Sequence, residues 1–259
     1  MIEKSVESLL REGLGRLRHC GRWLTRIPLG SATEVEGYSL AASAWGFPVV
    51  GALLGLGGGA IYGLGHRLGL PPVLAAVVAL GGLMLLTGAL HEDGLADFVD
   101  GLGGSTPEIR LSIMRDSRVG SFGVLALVLG LALRAGAMTA LGTTAKVVPA
   151  MIVSGALARG VMVAVMYALP LARRDGLAVS AGRPSARVLG WTLGIAVALA
   201  AALLPVRAAV IALLAAAAGG AAVAGVAKAK LGGSTGDVLG AAEQAAEILV
   251  LLALVAMLR

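Results

Sequence analysis

Long apolar runs separated by short polar clusters organise this chain, and they recur at the length a bilayer sets. Seven runs approach or exceed the roughly 20 mostly apolar residues that a membrane-crossing helix needs: 39–64, 72–90, 119–141, 147–169, 188–205, 208–227 and 238–258. The fifth is short. The sixth is so rich in alanine and glycine that a re-entrant or strongly tilted element also fits, which leaves seven as a working count with six or eight open. Ahead of them, Leu9, Leu10, Leu14, Leu17 and Leu24 are set against Arg11, Arg16, Arg18 and Arg22. That pattern predicts an amphipathic basic helix, lying on an anionic membrane surface or standing as a solvated arm. The expected fold is an all-α polytopic membrane helix bundle of about seven spans. Residues 1–38 form its N-terminal arm and 39–259 one membrane-embedded domain, with no linker or clear repeat.

Composition agrees with the pattern. Hydrophobic residues make up 58% of the chain and charged residues 14%, and the mean hydropathy is +0.90, values that suit an integral membrane protein. The apolar mass is aliphatic and small, which suits close packing of spans. Cys20 is the single cysteine, so an internal disulfide and a cysteine-based zinc site are excluded, and it reads as an inert small residue. The net charge of +6 does not indicate nucleic acid, because the basic residues are spread over several loops rather than gathered in a stripe.

Charge also orients the bundle. With the N-terminus placed in the cytoplasm, fifteen Lys and Arg fall in cytoplasmic segments and four on the other side, with Arg134 and Arg159 left inside spans. By the positive-inside rule the N-terminus is cytoplasmic and the C-terminus external. The expected location is a bacterial cytoplasmic membrane, with the polar chemistry on the cytoplasmic face.

Three cytoplasmic stretches could carry that chemistry. In "HEDGLADFVDGLGG" (91–104), Asp93, Asp97 and Asp100 fall at i, i+4 and i+7. If the second span continues as a helix, they share one face. Carboxylates that close repel one another unless protonated or neutralised by a cation, and hard oxygen ligands suit Mg2+ or Mn2+ completed by a substrate phosphate. A solvated acidic loop is the plain alternative. In "IMRDSRVGSFG" (113–123), Arg115 and Arg118 could grip a phosphate, and a helix beginning at Ser121 would add backbone donors. Asp116 would be a further metal ligand or an arginine partner. Membrane-surface snorkelling is the bland reading of both arginines.

In "KAKLGGSTGDVLGAAEQAAE" (228–247), the glycine-rich turn around Asp237 could wrap a phosphate or a base. Glu243 and Glu247 lie on a helix entering lipid, where ionisable groups need a partner or a cavity. Arg134 or Arg159 could pair with them, or they could be ligands. His91 and Glu92 are secondary candidates, and a lone histidine at a helix end is more often structural. Together these pieces describe a divalent cation and an anion at a membrane-bounded site, a specification that fits phosphoryl transfer.

In order and spacing, "WLTRIPLG", "HEDGLADFVDGLGG", "IMRDSRVGSFG" and "LGGSTGDVLGA" resemble the cobalamin synthase (adenosylcobinamide-GDP ribazoletransferase) family, from about Trp23 to Glu247. The resemblance implies an integral membrane, Mg2+-dependent enzyme. It would join adenosylcobinamide-GDP to alpha-ribazole or its 5'-phosphate and release GMP. On that reading Asp93, Asp97 and Asp100 hold Mg2+ against the diphosphate, Arg115 and Arg118 neutralise phosphate charge, and one aspartate, Asp100 among them, takes the attacking hydroxyl's proton. The lipid bilayer is the other expected partner, and homo-oligomerisation stays open.

Two other readings remain. The DxxDG from Asp97 to Gly101 looks like the start of a CDP-alcohol phosphotransferase signature but lacks the rest of it. A prenyltransferase-like enzyme is similar in kind. A cation-coupled transporter would carry its acids near the midplane of its spans, whereas six of the fifteen acids here lie between Glu92 and Asp116.

Overall fold

A computed structural model describes residues 6–30 and 38–258, apart from the side chains of Val6 and Leu9. Lys4 with the rest of residues 1–5, the stretch 31–37 of the expected arm, and Arg259 lie outside the described residues. The described chain is helical. After α1 (Val6–Leu24) and the short α2 (Leu40–Ser43) come α3 (Phe47–Arg67), α4 (Pro72–Thr87), α5 (Leu90–Gly101) and α6 (Pro107–Ile113). Then follow α7 (Ser121–Leu141), α8 (Thr144–Ala168), α9 (Leu177–Ala181), α10 (Ala186–Leu203), α11 (Val206–Leu231) and α12 (Gly236–Leu258).

Six helical segments are long and apolar enough to cross a membrane, and the bent pair α4–α5 makes up to a seventh. The run expected to be re-entrant or tilted is instead one continuous helix of 26 residues, α11. Its alanines and glycines bury on one side, Ala208, Ala212, Ala216 and Gly219 among them. Tight connections join the helices at one end of the bundle, at 68–71, 142–143 and 204–205. At the other end lie α1 and, among the described residues, the loops at 102–106, 114–120 and 169–176.

Core and periphery separate clearly. The apolar windows of α8 and α12 are 72% and 67% buried, whereas that of α10 is 17% buried. α8 and α12 therefore form the centre, and outward leucines and valines such as Val77, Leu85, Leu125, Leu129 and Leu214 make the lipid-facing belt. The closest packing is between α3 and α8. A Cβ at Gly51 would collide with the carbonyl of Gly155, and one at Gly155 with the carbonyl of Gly51. Backbone meets backbone there, as membrane helices allow where small residues face each other. Gly155→Leu should therefore destabilise the purified protein by at least 1–3 kcal/mol, the usual cost of overpacking, read as a fall in its thermal unfolding midpoint in detergent.

α1 lies against α2 and the start of α3. Its intrahelical pairs Arg11–Glu7 and Arg16–Glu12 are in place, with Leu10 and Leu14 exposed and Leu24 buried. Cys20 is buried and donates its Sγ–H to the Ser43 carbonyl at 3.0 Å. Burial pushes its thiol up to about 12, which makes it inert as expected.

The second span does not run on into the acidic stretch. Gly88 (φ 69°) and Ala89 (φ 56°) both adopt the left-handed conformation and end α4, and α5 leaves at 91°. The corner is pinned from outside, since Arg26 N–H donates to the Leu86 carbonyl at 2.7 Å. The Arg26 guanidinium also occupies the space a side chain at Gly88 would need. Because of this turn α5 crosses α12 rather than extending α4, with Gly94 and Gly240 in close approach.

Candidate active site

The residues of α5 divide by face. His91 and Glu92 are buried in the bundle, while Asp93 is exposed and Asp97 half-buried toward the loop end. Their inward partners come from three helices. Arg134 of α7 donates to Glu92 at 3.0 Å and lies 3.6 Å from Glu247. Arg159 of α8 donates to Glu247 at 3.0 Å, pairs closely with Glu243, and lies 3.4 Å from His91 Nδ1. Gln244 donates to Glu243 at 2.9 Å. A cavity of about 20 Å³ adjoins this cluster, room for about one water. Pairing of Glu243 and Glu247 with Arg134 or Arg159 is one of the two readings open from sequence; Glu247 meets both arginines and Glu243 meets Arg159. His91 and Glu92 join that network, and Glu92, Glu243 and Glu247 stay away from the mouth.

The outward acids crowd together. Asp237, at the start of α12, approaches them because Gly94 lets α5 pack onto its backbone. Thr235 shapes that start, its hydroxyl accepting from Val238 N–H at 3.2 Å. Asp97 lies on α5, past the 91° corner that ends the apolar run of α4, and its carboxyl is pushed up to about 7 by burial and then by the charges of Asp93, Asp237 and Asp100, against a smaller pull from Arg173. A cavity of about 70 Å³ opens beside them, lined by Trp23, Asp93, Met162, Leu177 and Asp237 among others.

Asp100 is employed differently from its neighbours. Its two carboxylate oxygens accept from Gly120 N–H at 2.7 Å and Gly123 N–H at 2.8 Å, so it caps the N-terminus of α7. A Cβ at either glycine would strike that carboxylate, which explains glycine at both positions of "VGSFG". The helix does begin at Ser121, and two N–H groups at its start, those of Gly120 and Gly123, are taken by Asp100. Asp100→Ala should cost about 1–2 kcal/mol, as lost helix caps do, and lower the unfolding midpoint in detergent.

Arg115 and Arg118 are also engaged. Arg115 Nη2 donates to both oxygens of Asp175 at 2.7 Å. Arg118 donates to Asp116 at 2.6 Å, and those hydrogen bonds hold Asp116 down at about 2. Of the two roles open to Asp116 in the sequence, the structure displays the arginine partner. Arg173 is the residue that sequence reasoning missed. It lies between Asp237 and Asp175, 3.6 Å from each. Only folding of the 169–176 loop onto 232–236 brings it there, through Ser234 N–H to the Pro170 carbonyl at 2.7 Å and Ala172 N–H to the Ser234 carbonyl at 2.9 Å.

Among the described residues, no group of three or more His, Cys, Asp or Glu forms a ready metal cage. The chemistry of the donors still fits Mg2+. That ion keeps several waters and takes one or two carboxylates plus substrate phosphates, and Asp93, Asp97 and Asp237 are oxygen donors whose mutual repulsion a cation would relieve.

A polytopic helical membrane protein with carboxylates and arginines gathered at its loop end is the class that fold and site define. Its sequence is more specific. A family model described as Cobalamin-5-phosphate synthase matches residues 16–255, and the chain belongs to that family. Similar relatives are the adenosylcobinamide-GDP ribazoletransferases of Bradyrhizobium diazoefficiens, 41% identical over 94% of each chain, and of Mesorhizobium japonicum, 39% identical over 93% of each. That of Brucella ovis is 40% identical over 90% of this chain and 93% of its own. No solved structure matches.

Proposed function

We propose that the chain is an adenosylcobinamide-GDP ribazoletransferase catalysing the final step of cobalamin assembly at a membrane. A hydroxyl of alpha-ribazole, or of its 5'-phosphate, attacks the phosphorus attached to the corrinoid arm. The new P–O bond forms as the bond to GMP breaks, and GMP leaves with the electron pair. The observation that carries this reading is the crowding of Asp93, Asp97 and Asp237 beside Arg173 in a chain of this family. Phosphoryl transfer needs charge neutralisation and in-line positioning more than covalent chemistry from the protein.

Asp93, Asp97 and Asp237 would hold Mg2+, which when bound supplies Lewis-acid neutralisation of phosphoryl charge. A carboxylate at the mouth would take the proton of the attacking hydroxyl, Asp97 being half-buried among the outward acids. Asp100 sets the start of α7 and so the loop carrying Arg115 and Arg118, which meet phosphate once their carboxylate partners yield. The positive-inside distribution supports a mouth that faces the cytoplasm of a bacterial inner membrane.

Purified protein in lipid should release GMP from adenosylcobinamide-GDP only when alpha-ribazole and Mg2+ are both supplied. A folded preparation that turns over CDP-alcohols and leaves adenosylcobinamide-GDP intact would replace this reading with the phosphotransferase alternative.

A further inference from the structure

The cations expected to take phosphate, Arg115 and Arg118, already have carboxylate partners. Arg173 does not have its donors filled. Its side chain is 15% exposed, and both of its ion pairs, to Asp237 Oδ2 and to Asp175 Oδ1, are 3.6 Å long. Its Nε and Nη1 are buried and donate to nothing. A buried guanidinium with spare donors costs free energy unless something fills them.

This arginine is held rather than loose. The loop that carries it is fastened to Ser234 by two backbone hydrogen bonds. Gly176, at φ +88°, leaves the space in which the guanidinium lies; a Cβ there would be 3.1 Å from Nη2 and 3.3 Å from Nε. Asp175 reaches both arginines, bidentate on Arg115 and at longer range on Arg173. It is also 65% exposed, so its pairs are weak and screened. A dianionic group arriving at the mouth can therefore replace it at little cost.

Resting on the function proposed above, we infer that Arg173 binds the diphosphate of the nucleotide-activated donor. Asp175 is a placeholder that keeps Arg173 and Arg115 in position until the diphosphate displaces it. The planar fork of Arg173 offers Nε and Nη donors to phosphate oxygens in bidentate fashion, next to the acids that would hold Mg2+. Phosphate and metal thereby share one mouth with alternating charge.

The test measures binding of GDP with Mg2+ to detergent-purified wild type, Arg173→Ala, Arg173→Gln and Asp175→Asn, alongside KM and kcat for adenosylcobinamide-GDP. GMP and guanosine serve as shorter probes. Arg173→Ala and Arg173→Gln should weaken GDP at least tenfold, with a much smaller change for guanosine, and should raise KM more than they lower kcat. Asp175→Asn should bind GDP at least as tightly as wild type. Unfolding midpoints separate this from collapse of the loop, and should Arg173→Ala not fold, the glutamine variant decides. GDP affinity unchanged in a folded Arg173 variant overturns the inference. Wild type that binds GDP through Arg173 but does not turn over adenosylcobinamide-GDP overturns the proposed activity and leaves the diphosphate site standing.

Discussion

Arg159→Met is expected to lower the stability of the folded protein by about 3–5 kcal/mol, the cost of removing one partner from a buried ion pair. In the native bundle Glu92, Glu243 and Glu247 face Arg134 and Arg159. Removing Arg159 leaves one guanidinium for three carboxylates, with His91 and Gln244 as uncharged polar neighbours. The adjoining cavity of about 20 Å³ has room for about one water and none for a hydrated counter-ion. The loss should appear as a lower unfolding midpoint and a smaller monodisperse fraction after detergent extraction. Arg159→Met combined with Glu243→Gln should recover much of it, because one cation and one anion are then removed together. A single variant as stable as wild type would show that the network contributes nothing net.

That network also shows where sequence reading stops. The spans were visible because a bilayer fixes their length and composition, and the expected boundaries fall within a few residues of those observed. Periodicity also places α1, and the cost of ionisable groups in a span leaves Glu243 and Glu247 either paired with Arg134 or Arg159 or acting as ligands; the structure displays the pairing. The turn at Gly88–Ala89 was not visible. A left-handed corner there depends on Arg26, more than sixty residues earlier, filling the space beside Gly88. Without that corner, Asp93, Asp97 and Asp100 read as three equivalent acids on one face. With it, Asp100 meets the start of α7 and becomes a cap, while Asp237 takes the third place beside Asp93 and Asp97. Arg173 was hidden for the same reason. In the sequence it is one more positive loop residue, and only the loop's attachment to Ser234 sets it among the acids.

Asp97→Asn should reduce GMP release by about three orders of magnitude, the several kcal/mol that neutralisation by a metal contributes to such a step, and should not destabilise the protein. The two halves of this prediction have one cause. In the folded protein the Asp97 carboxyl is raised from its ordinary value to about 7, by burial and by Asp93, Asp237 and Asp100. Between about pH 4 and pH 7 the folded state therefore holds a proton that the unfolded state has released, and stability falls as pH rises through that window. At neutral pH the ionised carboxylate is tolerated rather than stabilising, so an isosteric neutral amide relieves repulsion. The same charge is what a divalent cation needs. Mg2+ should accordingly raise the unfolding midpoint of the wild type near pH 7.5 and do so much less for Asp97→Asn. Asp100→Ala should show the opposite balance, losing stability through its cap while keeping the Mg2+ response. Wild-type turnover by Asp97→Asn at low Mg2+ would remove Asp97 from the metal site, and an unchanged Mg2+ response in that variant would do so independently of any assay of the reaction.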